Sequence, residues 1–104
     1  MKFITGFKLF RKRKDGTYGP LFINRKQRLV TGVLYPSEDV PTKGYAHRPG
    51  WHILEKPVAP HLKETDDRVW CWVYFTPDAV IKRPESQGGV WYLSNKMFIL
   101  GEVA

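Results

Sequence analysis

A single cysteine, Cys71, stands in 104 residues. It excludes an internal disulfide framework and a zinc site built from several thiolates, and it fits a reducing cytoplasm. Long apolar runs are missing as well. Residues 1–4 open like a secretory signal, but Gly6, Lys8 and the basic run at 11–14 break the stretch. No segment approaches the about 20 apolar residues of a membrane helix, so a soluble, cytoplasmic protein with no membrane partner is expected. There is no Gly-rich phosphate loop, no nucleophile elbow around Ser37, Ser86 or Ser94, and no internal repeat. Cys71 lies between Trp70 and Trp72, where a thiol is usually packing rather than a nucleophile. These absences name no enzyme class.

Acidic residues are scarce at one end. Asp15 is alone among residues 1–28 against nine Lys and Arg, whereas the remainder carries eight basic and nine acidic residues. The net charge of +7 therefore belongs to the N-terminal quarter. Such an end either attracts nucleic acid or another acidic partner, or solvates an edge hairpin and discourages edge pairing. Aromatic residues are plentiful at 14%, enough for a few large side chains to fill the core of a single domain over 1–104.

Most of the chain reads as strand. Residues 3–10 alternate, with Phe3, Thr5, Phe7 and Leu9 forming the better apolar face. Arg11-Lys12-Arg13-Lys14 leads into Asp15-Gly16, a hairpin turn, and residues 18–23 return, with Pro20 confining them to an edge or bulge. The nucleic-acid candidates are Lys8, Arg11, Lys12, Arg13, Lys14, Arg25, Lys26 and Arg28. A third strand is expected over 29–35. Short helical turns are expected over 58–63 and from Thr76-Pro77-Asp78 to Ile81. Residues 68–76 are the firmest strand, with Val69, Cys71, Val73 and Phe75 on one face and Trp70, Trp72 and Tyr74 on the other. The aromatic face fits either core packing, the preferred reading, or a base-stacking platform. Residues 90–93 and 97–103 make a last pair around Ser94-Asn95-Lys96. The fold class is α+β and β-dominant: a twisted, mostly antiparallel sheet with one or two short helices.

All three histidines, His47, His52 and His61, fall in a Pro-punctuated stretch that reads as an irregular loop. Their spacing gives no shared helical face, so no metal site is expected. A histidine in a pocket is the better chemical reading, and His52 is the catalytic candidate because Gly50 and Trp51 fix its approach. The competing reading makes Trp51 a core plug and His52 a cap on a loop carbonyl.

Lys8-Leu9-Phe10-Arg11, Gly19-Pro20-Leu21-Phe22, Tyr45 through His52, Pro57, Ala59, His61 and Arg68-Val69-Trp70 occur in an order that resembles a small uncharacterised domain encoded by phages and prophages. Arg48-Pro49-Gly50-Trp51-His52 is the most distinctive part. The resemblance implies a phage or mobile-element origin rather than an activity; the function expected is that of a small binding protein acting against a host system or within phage physiology. A more distant resemblance is to ADP-ribosyltransferase-like domains, through the order Arg11, His52, Glu102, although Leu100 stands where that family has Ser or Thr. It implies NAD as cofactor; otherwise no cofactor is expected. The ligand-binding set is Arg11, Arg48, Trp51, His52 and His61, with nucleic acid or an acidic protein surface as partner.

Overall fold

β5 (Arg68–Phe75) sets the frame because successive side chains of a strand turn to opposite faces and this strand is apolar on both. In the computed structural model, which describes residues 2–20, 27–36, 51–57, 67–82, 84–87 and 89–103, β1 (Ile4–Lys12) runs antiparallel to it. The register extends from Ile4 opposite Phe75 to Arg11 opposite Arg68. The remaining strands are β2 (Tyr18–Gly19), β3 (Tyr35–Pro36), β4 (Trp51–Leu54), β6 (Ala79–Lys82), β7 (Val90–Ser94) and β8 (Lys96–Glu102). Among the described residues they form one sheet in the order β3-β8-β5-β1-β4-β7-β6, with β2 beside the end of β1. The strand pairings are antiparallel and the sheet is twisted and open.

The inner face holds the larger core. Phe10 of β1, Trp51 and Ile53 of β4, Cys71, Val73 and Phe75 of β5, and Met97 and Ile99 of β8 are buried together. A smaller cluster on the outer face joins Leu54 and Trp91, with Trp70 and Ile81 packed against it. Gly6 lets β1 and β4 close on the inner side. A Cβ there would stand 2.7 Å from both Ile53 Cγ2 and Phe75 Cε1.

Several expectations change. The row of β1 that faces the main core is Ile4, Gly6, Lys8 and Phe10, because the register with β5 aligns those residues with Phe75, Val73, Cys71 and Val69. Residues 51–54, read as loop, are a strand, since Trp51 and Ile53 alternate inward and both edges find partners. The helix from Pro77 to Ile81 is absent. Ala79–Lys82 pairs with β7 instead, and Asp78 N–H donates to the Leu93 carbonyl at 3.0 Å. Helical structure among the described residues is a 3-10 turn at Glu85–Gln87. The strand expected over 29–35 reduces to single bridges at Leu29 and Thr31 and the short β3. The helical turn expected over 58–63 lies outside the described residues.

The last two strands form, but not as a hairpin. β7 pairs with β4 and β6, whereas β8 pairs with β5 and β3. The chain turns between them at Asn95, and the bend is tied down by polar groups. Ser94 Oγ, 1% exposed, donates to the Lys96 carbonyl at 2.6 Å and lies 3.3 Å from Thr76 Oγ1, while Asp78 accepts from Asn95 N–H at 2.7 Å. Buried hydroxyls are thus hydrogen-bonded as burial requires.

Candidate nucleic-acid interface

The outer face of β1, β5 and β8 carries a ladder of rings. Phe7 meets Trp72 with centroids 4.2 Å apart, Phe3 stacks on Tyr74 at 5.0 Å, and Tyr74 neighbours Phe98 at 6.5 Å. These contacts order the rings without covering them: Trp72 is 41% and Tyr74 38% exposed. Their other cross-strand neighbours are small. Gly101 lies opposite Trp72, with open space where a Cβ would stand, and exposed Thr5 lies opposite Tyr74. The aromatic face of β5 had core packing as its preferred reading; Trp70 does pack, against Leu54 and Trp91, whereas Trp72 and Tyr74 stay exposed.

Cations stand at both ends of the ladder. Arg11 and Arg68 are paired in register at one end, on the face of Trp70, Trp72 and Tyr74. At the other, Lys96 Nζ lies 5.7 Å from the Phe3 ring centre. Rings that keep an open face, bracketed by positive charge, can stack flat π-systems while holding anionic groups at the margins.

The basic hairpin forms as expected. Asp15 Oδ1 accepts from Thr17 N–H at 3.0 Å and from Thr17 Oγ1 at 2.7 Å, and Gly16 takes φ +86°, the left-handed region glycine accepts without strain. Those Thr17 hydrogen bonds, with Arg28 and Arg13 nearby, hold the Asp15 carboxyl below its ordinary range. Yet most of the cations have local partners. Lys12 Nζ donates to Glu102 Oε2 at 2.8 Å, Arg28 Nε to Asp15 Oδ2 at 3.2 Å, and Arg11 lies 4.0 Å from Asp67. The Arg13 guanidinium covers Gly19, where a Cβ would collide with it. Lys14 is exposed. Five cations against three carboxylates leave a modest local excess. Arg25 and Lys26 lie outside the described residues.

Lys8 leaves the nucleic-acid set. It projects from the inner face of β1, donates from Nζ to the His52 carbonyl at 2.8 Å, and lies about 6 Å from the Phe10 and Trp51 ring centres. Burial lowers its pKa to about 8, since a desolvated ammonium loses hydration that one carbonyl and two ring faces restore only in part.

The histidine loop is only partly in view, since His47, Arg48 and His61 lie outside the described residues. Trp51 is a core residue, 8% exposed, with Nε1 donating to the Tyr35 carbonyl at 3.1 Å. His52 is next to it in β4 and so points to the opposite face, its ring 6.0 Å from Trp91. The two cannot line one pocket wall. Arg11 and Glu102 are likewise separated. Arg11 lies on the outer face, whereas the Glu102 carboxylate accepts from Lys12 and from Tyr18 Oη, both at 2.8 Å, on the inner one. Those two bonds hold the Glu102 carboxyl below its usual range. Cys71 is fully buried, and burial with the nearby Glu102 charge pushes its thiol up to about 12, as inert packing requires.

No family model, curated protein or solved structure matches the chain. Trp72, Tyr74, Arg68 and Lys96 line this candidate face and are absent from the sequence-based site set. The available signal was the alternation Trp70, Trp72, Tyr74, which specifies a shared face but not whether that face is covered.

Proposed function

We propose that the protein is a nucleic-acid-binding module that uses the outer face of β1, β5 and β8. One observation carries the reading: Trp72 and Tyr74 are held by ring contacts, remain about 40% exposed, and sit between Arg11 with Arg68 and Lys96. Contiguous exposed rings mark an interaction surface, and a flat ligand is one that would cover them. Nucleobases are such ligands, and the flanking cations suit a phosphate backbone. The hairpin contributes long-range attraction through Lys14 and the net charge of +7 rather than a dedicated binding cleft. The origin implied by the Arg48-Pro49-Gly50-Trp51-His52 motif, a phage or mobile element, belongs to the same proposal and rests on that resemblance alone.

The test is fluorescence anisotropy with a labelled mixed-sequence oligonucleotide across a salt series. Binding is expected to weaken linearly on a log–log plot as salt rises, and Arg68→Gln with Lys96→Gln should flatten the slope by about two phosphate contacts. An absence of binding at low ionic strength would refute the reading.

A further inference from the structure

We infer that this face takes an unstacked single strand, about four nucleotides long, laid along β5 with bases on Trp72 and Tyr74. The inference rests on the nucleic-acid reading and specifies the form of the ligand. Three features of the ladder lead to it.

Spacing comes first. Side chains on one face of a strand repeat every second residue, so Trp72 and Tyr74 are offset by about 6.8 Å along β5. Successive phosphates along one strand of a duplex are about 3.4 Å apart in rise. Rings at twice that step match bases that have been drawn apart, which a single strand permits and a paired helix does not. Shape is the second feature. The ladder lies on a strand within the sheet, between β1 and β8, and flat rings there present no ridge that could enter a groove and reach base edges. A duplex would offer this surface only its backbone, leaving the rings uncovered. Third, Trp72 has room for a base beside it, with Phe7 on one side and Gly101, where a Cβ would meet nothing, on the other. Tyr74 is flanked by Phe3 and Phe98, which fix its ring while leaving it 38% exposed.

Length follows from the charges. Arg68 to Tyr74 spans six residues, or ~20 Å, which accommodates about three steps of 6.8 Å and therefore about four nucleotides. Arg11 and Arg68 would meet a phosphate at one end and Lys96 one at the other.

The experiment measures binding of labelled oligo-dT and oligo-U, in lengths from about two to twelve nucleotides, and of a duplex of about twelve pairs, all at low ionic strength. Wild-type protein should bind single strands at least about tenfold more tightly than duplex, with affinity rising steeply to about four nucleotides and only statistically beyond. Trp72→Ala should weaken single-strand binding about five- to 140-fold and leave duplex binding unchanged, whereas Trp72→Phe should retain most of it. Tyr74→Thr supplies a second arm, and circular dichroism confirms that each variant is folded. The comparison of oligo-dT with oligo-U separates DNA from RNA as the preferred strand. Equal affinity for duplex and single strand, with Trp72→Ala silent, would overturn the inference and leave the nucleic-acid reading standing. Failure to bind either form, or a dimer in sedimentation that Trp72→Ala dissociates, would overturn both.

Discussion

Lys8 Nζ reaches from β1 to the backbone carbonyl of His52 on β4, 2.8 Å away, and so joins the two strands on the side where Gly6 lets them close. This ammonium is desolvated, which gives folding a pH signature. Its pKa is about 8 in the folded chain against an unfolded value near 10.4, so between those values the unfolded chain binds more protons and stability rises with pH. Cys71, opposite Lys8 in β5, acts in reverse: its thiol stays protonated in the fold to about 12 and ionises earlier when unfolded, so its contribution falls above about pH 9. Stability from urea denaturation should therefore rise by roughly 1 kcal/mol from pH 7 to about 9, level off where the two slopes cancel, and decline above about pH 10.4. Lys8→Met should remove the rise. A flat wild-type profile over that range would contradict the burial of Lys8.

Trp51 is expected to behave as core. Trp51→Ala should cost about 3–5 kcal/mol by chemical denaturation, and Trp51→Phe distinctly less, because the latter fills most of the volume and loses chiefly the Nε1 bond to Tyr35. A Trp51→Ala variant of wild-type stability would remove it from the core.

Two glycines should fail for different reasons. Gly6→Ala forces a methyl against Ile53 and Phe75 and should cost about 1–3 kcal/mol. Gly16 has open space but positive φ, so Gly16→Ala should cost about 1 kcal/mol and Gly16→Asn less. Denaturation midpoints in which Gly6→Asn were as mild as Gly16→Asn would undermine the close approach of β1 and β4.

Glu102 shapes the acid limb. Its folded pKa lies below the ordinary carboxyl value, so the stability it adds is present above that ordinary value and is lost as pH falls through the folded one. Glu102→Gln should reduce the slope of stability below about pH 5, where the unfolded carboxyl begins to take up its proton, while Glu102→Ala should be less stable still because Tyr18 Oη loses its acceptor. Thermal melts across that range would show it. Slopes identical to wild type would mean that the Lys12 pair is too solvated to contribute.

Strand periodicity and turn chemistry carried the fold as far as local rules reach. The β5 alternation and the Asp15-Gly16 turn were readable because each depends on neighbours in sequence. The inward row of β1 was not, because Phe3, Thr5, Phe7 and Leu9 are the more apolar set, and only the register with Cys71 and Val73 turns Lys8 toward the core. Residues 79–82 follow a helix-start signal at Pro77, but pairing with Trp91 and Tyr92 overrides it. The site divides likewise. Positive charge could be counted, whereas its pairing with Asp15, Asp67 and Glu102 depends on strands that meet only in the folded chain.

β1 is hydrogen-bonded to β5 along one edge and to β2 and β4 along the other. Ile4 is synthesised 71 residues before its partner Phe75, a delay of about 4–14 s at ordinary ribosomal rates. Until β5 emerges, β1 can pair only with the short β2 and with Leu54 of β4, and its longest partnership, from Ile4 to Arg11, is missing. Folding of this chain is thus expected to wait for its C-terminal half, with the basic run at 11–14 keeping the waiting strand soluble.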